Sequence, residues 1–225
     1  MVHRIQNRNT GYSDFSHVSV PSSFNFNSNI SNTAVDGANA LKLDSEIISE
    51  INQDADSSNT SEETTTETQN VVLENEKLQR IKNFILDKFE NFVINHLQIE
   101  NQFYLTQSWT AVNHKGNAHH LHLHPNTVFS CVFYAQANSG DFQIKMPMSR
   151  IQEGYNFSYK VLQQNIFNSR TYNASVKTGD IIIFPGWLEH QALPNEDDAP
   201  RIIIGTNYFI KGSLGDYDSK DLITI

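Results

Sequence analysis

The spacing of hydrophobic residues changes near residue 98 and divides the chain into a helical and a β part. Between Glu74 and Gln98, apolar side chains recur every three or four positions with Lys and Glu between them, which predicts an amphipathic helix. Its apolar positions are Leu78, Ile81, Phe84, Ile85, Phe89, Phe92, Val93 and Leu97.

After residue 98, short segments of β-branched and aromatic residues bounded by turn residues predict strands. These segments are Phe103–Val112, His119–His124, Thr127–Gln136, Asp141–Met146, Ser175–Lys177, Ile181–Pro185 and Arg201–Phe209. No helical pattern separates them, so a parallel sheet with crossover helices is disfavoured. The element order predicts a mainly β fold with N-terminal helices, either a β-sandwich or a jelly roll.

Two long segments show neither a strand nor a strong helix period. Residues 147–172 are polar and aromatic and predict a long loop, a feature that often covers or lines a binding site. Asp54–Asn70 is almost devoid of apolar side chains and predicts a flexible segment, while Leu41–Ile51 predicts a short helix. We therefore predict a low-complexity acidic region over residues 1–73 and a β domain over 74–225.

Charge separates the same two regions. The chain has a net charge of −9, and its first 75 residues contain 11 of the 25 acidic but 3 of the 16 basic residues. The rest is nearly neutral and lacks the basic footprint of a nucleic-acid binder. Cys131 is the only cysteine, which excludes an intrachain disulfide and favours a reducing compartment. No apolar run reaches the roughly 20 residues of a membrane span, so a cytoplasmic protein is expected, in a host cell if the gene is viral.

The histidines of the predicted strand His119–His124 are the strongest candidates for chemistry. Alternate residues of a strand share a face, so His120, His122 and His124 would lie together and opposite Leu121 and Leu123. Imidazole binds Fe, Zn, Cu and Ni. The spacing leaves the choice between 120/122 and 122/124 open; we favour His122 and His124, and expect His119 to face away from His120.

Two downstream residues extend this hypothesis. His190 follows a strongly apolar strand and a Pro-Gly turn, at a strand end where it could provide a third ligand. Arg201 opens the run Ile202–Ile204, which predicts a strand buried on both faces. An arginine there either pairs with Asp197 or Asp198 or offers its planar fork to a ligand carboxylate.

The order and spacing of several motifs resemble the 2-oxoglutarate- and Fe(II)-dependent oxygenases, most closely a branch frequent in marine bacteria and their phages. The motifs are Ser108–Asn113, Gly116, His122–Asn126, Ser130–Tyr134, Gly179–Pro185, His190 and Arg201–Ile204. The resemblance covers about residues 75–225. It implies a double-stranded β-helix (a cupin-like jelly roll), Fe(II) held by a His-x-Asp/Glu pair and a distal histidine, and 2-oxoglutarate held by a later arginine.

Carried onto this chain, the resemblance implies that Fe(II) binds to His122, His124 and His190 and that Arg201 binds 2-oxoglutarate. Asn113, Ser130 and Tyr134 are further candidates for binding the co-substrate through hydrogen bonds. His124 stands where the family has a carboxylate, a charge that Asn126 does not replace and that Asp141 could supply only if the strand order brought it to the site. The implied activity is hydroxylation of an unidentified small-molecule or peptidyl substrate.

Two other functions fit the same residues. Three histidines with an open position also suit a metal enzyme that does not use 2-oxoglutarate, such as a zinc hydrolase or a cupin-type dioxygenase. A non-catalytic jelly-roll module that binds a sugar or a protein is the third interpretation. The sequence leaves the oligomeric state open, a homodimer included.

Overall fold

A computed structural model of the chain describes residues 66–67, 72–146, 149, 153–154, 160–165, 168–215 and 223–225. The predicted helix over Leu41–Ile51, almost all of the acidic region and most of the 147–172 segment lie outside these residues. The predicted division into two regions is therefore not tested and stays a prediction.

The amphipathic segment forms the predicted helix. The 3₁₀ turns Val72–Glu74 and Glu76–Leu78 lead into α1, Gln79–Asn91, and the π-helical turn Phe92–Leu97 follows it. The helical segment ends at Gln98, whose left-handed φ of 54° turns the chain away from the helix axis. The prediction over 74–98 is confirmed, with 3₁₀ and π turns at its two ends.

Eleven strands are found in the described part of the chain. They are β1 (Thr66–Glu67), β2 (Gln102–Asn113), β3 (His119–His122), β4 (Phe129–Gln136), β5 (Asp141–Lys145), β6 (Thr171–Ser175), β7 (Ile181–Pro185), β8 (His190–Ala192), β9 (Arg201–Lys211), β10 (Ser213–Leu214) and β11 (Ile223–Thr224). One sheet has the order β1-β2-β9-β4-β7 and a second has the order β3-β8-β5-β6, while β10 and β11 form a separate pair. All pairings are antiparallel, as the mainly β, jelly-roll prediction requires.

Several strand predictions need correction. The predicted strand Ser175–Lys177 is wrong, because β6 begins at Thr171 and ends at Ser175. Its residues alternate between exposed and half-buried positions. Because its side chains are mostly polar, this edge strand shows no hydrophobic pattern and was predicted as part of the loop. The strand β8 was not predicted, since three residues are too few to show a period. Likewise, β1 lies inside Asp54–Asn70, which was predicted to be flexible.

The core has two parts that share strand β4. Cys131 and Phe133 pack in one hydrophobic cluster with the buried side chains of α1. Val132 and Tyr134 pack in a second cluster on the other face of the strand. Both faces of β4 are therefore buried. Burial raises the pKa of Cys131 to about 12, so its thiol stays protonated and packs as a small apolar group rather than acting as a nucleophile.

Phe89 anchors α1 to the first sheet. Its ring stacks on Tyr208 at a centroid distance of 3.7 Å and meets Phe103 and Phe129 edge to face. Phe89→Ala is expected to lower the free energy of unfolding by about 3–5 kcal/mol, measured by urea denaturation, because it leaves a cavity among these rings. The control Ile94→Ala, at a position that is 53% exposed, should change it by less than about 1 kcal/mol. Equal effects of the two variants would contradict this account of the helix contact.

Candidate metal centre and adjoining cavity

The pairing of β3 with β8 brings together histidines that are distant in sequence. His122 lies opposite His190 in the ladder, and His124 follows just beyond the end of β3. The ligand nitrogens of these three residues lie within 4.8 Å of one another, and the Nε2 atoms of His124 and His190 are 3.3 Å apart. A metal ion lies about 2.0–2.1 Å from each imidazole nitrogen that it binds. When the nitrogen–metal–nitrogen angle is roughly 90°, the two nitrogens are about 3 Å apart. The observed spacing therefore fits a shared metal ion.

The position of His124 explains why β3 ends earlier than predicted. The register shifts between His119 and His122, and the chain then leaves the ladder. The backbone N–H of His124 donates to the carbonyl of Gly186 in the loop before β8. His124 is therefore fixed next to His190 by a loop contact, not by the continuous strand over His119–His124 that the sequence predicts.

Backbone carbonyls orient two of the three rings. Nδ1 of His190 lies 2.8 Å from the carbonyl oxygen of Leu188, and Nδ1 of His122 lies 2.8 Å from that of His120. A carbonyl can only accept, so each Nδ1 carries the proton and each Nε2 keeps the lone pair that a metal needs. The same contacts fix the ring planes before any ion binds.

His190 is held in its neutral form. Its side chain is buried, with the residue 3% exposed, and burial lowers its pKa to about 3. The hydrogen bond to Leu188 opposes this shift, whereas the neighbouring His122 and His124 reinforce it. His190 thus offers an uncharged nitrogen at physiological pH, as metal coordination requires.

His119 and His120 lie closer to this centre than the strand pattern predicts. The ring centroids of His119 and His122 are 4.4 Å apart, and those of His119 and His120 are 4.6 Å apart. The irregular pairing of β3 breaks the alternation of faces, and both residues line the same cavity. The expectation that His119 faces away from His120 is therefore wrong.

A cavity of about 420 Å³ adjoins the three histidines and contains Arg201 in its wall. Arg201 is 1% exposed; its Nη2 donates to Oδ1 of Asn113 across 3.4 Å, and its Nε has no hydrogen-bond partner. Burial lowers the pKa of Arg201, and the nearby Tyr134 opposes this shift. A guanidinium with so few hydrogen bonds in a buried position is suited to receive an anion.

The carboxylates expected as alternative partners for Arg201 bind elsewhere. Asp198 accepts from Nζ of Lys115 at 2.6 Å, and Asp197 accepts from the backbone N–H of Ala199. No described carboxylate lies within ion-pair distance of Arg201. Of the two interpretations of this residue, the structure therefore favours the one in which the arginine faces a ligand.

The remaining predicted residues divide between the cavity and the framework. Asn113 and Tyr134 are both buried and line the cavity, and their binding of a co-substrate stays a prediction. Ser130 instead donates from its hydroxyl to Asn207. Asp141 accepts from the Ser175 hydroxyl and is not in the histidine cluster, so it does not replace the missing carboxylate.

Three further residues of the cavity wall are not among the predicted metal or co-substrate ligands. Trp109 lies in this wall and stacks on the His124 ring at a centroid distance of 5.5 Å, in a space that a Cβ at Gly205 would fill. Gln107 and Asn207 also line the cavity and share a hydrogen bond. The residues of β2 that line the cavity occupy alternate positions: Gln107, Trp109, Ala111 and Asn113. The period of two therefore indicates that they share one face of the strand. The sequence did not show which face of β2 meets the cavity.

A family model matches the part of the chain that contains the candidate site. A family model described as "Putative 2OG-Fe(II) oxygenase" matches residues 107–207, a span that contains the three clustered histidines, Arg201, Asn113 and Tyr134. By this match and by the fold, residues 107–207 are similar to the 2OG-Fe(II) oxygenase family, in agreement with the sequence resemblance. No curated protein sequence gives a significant match.

Solved structures resemble this chain at low sequence identity, and those with a TM-score of 0.50 or more show the same fold. A Pseudomonas putida prolyl-4-hydroxylase superposes with a TM-score of 0.50 at 13% identity, over 74% of this chain and 85% of its own. The non-heme alpha-ketoglutarate-dependent epimerase SnoN from nogalamycin biosynthesis gives 0.53 at 9% identity, over 84% of both chains. A 2OG-Fe(II) oxygenase family protein from Burkholderia pseudomallei gives 0.39 at 13% identity, over 61% of this chain and about half (52%) of its own length. Within the described residues, no helix is long and apolar enough to span a membrane.

Proposed function

We propose that this chain is a 2-oxoglutarate- and Fe(II)-dependent dioxygenase that hydroxylates a C–H bond of a small-molecule or peptidyl substrate. One observation carries the proposal: a three-histidine donor set and a buried arginine, Arg201, face the same cavity. The family match supports the oxygenase class. Hydroxylation is the finer part of the proposal, because the fold neighbours include both a hydroxylase and an epimerase.

The histidines suit iron by their chemistry. Imidazole is a ligand for non-haem iron, and three protein ligands leave coordination positions open to other molecules. Bound Fe(II), together with 2-oxoglutarate and O₂, supplies the oxidising chemistry, and the protein supplies binding and orientation. In this chain, the carbonyls of His120 and Leu188 fix the proton positions of His122 and His190, and Trp109 packs against the His124 ring.

Charge balance favours a dianionic co-substrate. Three neutral histidines leave the full double charge of an Fe(II) ion uncompensated, and Arg201 adds one further positive charge to the same cavity. A 2-oxoglutarate dianion can chelate the metal at one end and place its far carboxylate on Arg201 at the other. Asn113 and Tyr134 are positioned beside the arginine to bind or orient that carboxylate.

A three-histidine enzyme that does not use 2-oxoglutarate is the second candidate. The presence of His124, in place of a carboxylate, favours it, because neutral three-nitrogen sites also suit catalytic zinc. Such an enzyme has no evident use for Arg201, whose burial without a carboxylate partner costs free energy in the absence of an anionic ligand.

Anaerobic titration separates the two candidates. Fe(II) is added to the metal-free protein, followed by 2-oxoglutarate, and the visible metal-to-ligand charge-transfer absorption of the chelate is recorded. The proposal expects a band with the wild type and with His114→Ala, a change at an exposed histidine outside the cluster, but not with His124→Ala. Bound iron without a band would contradict the use of 2-oxoglutarate and favour the second candidate.

Gly140 provides a test of Arg201 that leaves the arginine in place. A Cβ at this position would collide with Nη1 of Arg201, so Gly140→Ala should displace the guanidinium. We expect the half-saturating concentration of 2-oxoglutarate, measured with the same absorption band, to rise at least about tenfold. This rise corresponds to the loss of roughly one hydrogen bond to a charged group. Iron binding should be unchanged, because Gly140 is not part of the histidine cluster.

The matched control is Gly116→Ala. Gly140 and Gly116 have positive φ angles of 85° and 83°, so alanine should strain both backbones by about 1–2 kcal/mol. Nothing lies within 4 Å of a Cβ at Gly116. A similar loss of 2-oxoglutarate affinity in both variants would assign the effect to backbone strain and contradict the role given to the arginine position.

A further inference from the structure

A second histidine cluster lies beside the first and shares one residue with it. The ligand atoms of His119, His120 and His122 all lie within 4.8 Å of one another, as do those of His122, His124 and His190. We call His119, His120 and His122 the outer cluster. We call His122, His124 and His190, the group described above, the inner cluster. The outer cluster contains the exposed His120, whereas the inner cluster contains the buried His190, so the outer cluster is the more accessible of the two to solvent.

The shared residue can bind a single ion at a time. Nδ1 of His122 lies 2.8 Å from the carbonyl oxygen of His120 and carries the proton, which leaves the Nε2 lone pair as its one ligand position. An ion held by the outer cluster through His122 therefore takes this ligand away from the inner cluster. Nδ1 of His119 faces the same carbonyl at 3.3 Å, an orientation that also leaves Nε2 as the ligand nitrogen of His119.

The surroundings of the outer cluster favour a transition-metal ion over a hard cation. Its three donors are imidazoles, which suit Fe, Co, Ni, Cu and Zn, and no carboxylate from the described residues is part of the cluster. The irregular pairing of β3 places these rings on one side of the strand, where a regular strand would separate neighbours onto opposite faces. The outer cluster thus has the donor type and the proximity of a metal site.

We propose that His119, His120 and His122 form an outer site for a divalent transition-metal ion, and that this site captures the ion before it passes to the inner cluster through His122. The two sites are occupied one at a time, since both need Nε2 of His122. The proposal concerns metal binding alone and holds whether or not 2-oxoglutarate is the co-substrate.

Cobalt binding to the full chain without 2-oxoglutarate tests the proposal. Equilibrium dialysis gives the stoichiometry, and the visible absorption of Co²⁺ reports the ligand set. The wild type should bind one Co²⁺ ion, and His124→Ala, which weakens the inner cluster, should still bind one through the outer cluster. Adding His120→Ala to His124→Ala should then weaken Co²⁺ binding at least about tenfold.

The matched control adds His114→Ala, an exposed histidine outside both clusters, to His124→Ala and should leave the Co²⁺ affinity unchanged. Stopped-flow mixing with Co²⁺ tests the transfer step: the double variant His119→Ala/His120→Ala should bind one ion, with a rate constant at least severalfold below that of the wild type. An unchanged rate would overturn the capture role. An unchanged affinity on adding His120→Ala to His124→Ala, or two ions bound by the wild type, would overturn the shared outer site.

Discussion

Replacing His190 with alanine is expected to abolish iron binding at the inner cluster, to leave only the weaker binding of the outer cluster, and to abolish all 2-oxoglutarate-dependent turnover. His190 contributes the most buried donor of the inner cluster, and its carbonyl partner Leu188 aims Nε2 at the Nε2 of His124. Loss of an outer-sphere partner typically weakens metal binding by about 10–100-fold, and loss of a direct ligand should exceed that range. Calorimetric titration with Fe(II) under anaerobic conditions measures the change, and succinate release measures turnover.

Two controls separate ligand loss from a folding defect. His190 packs against Phe142 and Phe184, with centroid distances of 5.0 and 4.5 Å, so alanine also removes core contacts. His190→Gln fills more of this space and still lacks the imidazole, and it should lose iron to the same extent. His114→Ala removes an exposed histidine and should bind iron like the wild type. Tight iron binding by both His190 variants would contradict the inner cluster as the metal site.

The fold could be predicted from the sequence where an element is long and periodic. The helix over 74–98 and the strand Ile181–Pro185 carry strong hydrophobic patterns, because each buries one or both faces in the core. Strands β6 and β8 were misplaced or missed because their stability comes from pairing with β5 and not from their own hydrophobicity. Short or polar strands at such positions leave little local signal.

The residues that gather in the candidate site could be predicted from the sequence, whereas their geometry could not, and their roles stay predictions. The sequence indicated His122, His124, His190 and Arg201 by residue type and family resemblance, and the structure brings all four to one cavity. The register shift in β3 was not predictable, since it depends on pairing with a strand about 70 residues away. The shift places His119 and His120 beside the centre, and the pairing of β2 with β9 similarly places Gln107 next to Asn207.

Arg201→Met is expected to impair 2-oxoglutarate binding without lowering the stability of the ligand-free protein. Truncating one partner of a buried charge pair costs about 2–5 kcal/mol of binding free energy, which corresponds to a rise of at least roughly 30-fold in the half-saturating concentration. In the ligand-free chain, by contrast, the guanidinium is 1% exposed and its Nε has no hydrogen-bond partner. Methionine keeps the apolar stem of the side chain and removes this buried charge, so the free energy of unfolding should stay equal or increase.

The opposite directions of these two effects distinguish a binding residue from a framework residue. A purely structural Arg201 would stabilise the ligand-free protein, and its replacement would lower the melting temperature together with the affinity. Lys115→Met, which removes an exposed cation paired with Asp198, should change the free energy of unfolding by at most about 1 kcal/mol and leave 2-oxoglutarate binding unaffected. Because a ligand stabilises the state that binds it, adding 2-oxoglutarate at a fixed concentration to the Fe(II)-loaded protein should raise the melting temperature of the wild type and of Lys115→Met by more than that of Arg201→Met. A strongly destabilised Arg201→Met protein that keeps its 2-oxoglutarate affinity would show that the arginine belongs to the framework and that the co-substrate binds elsewhere.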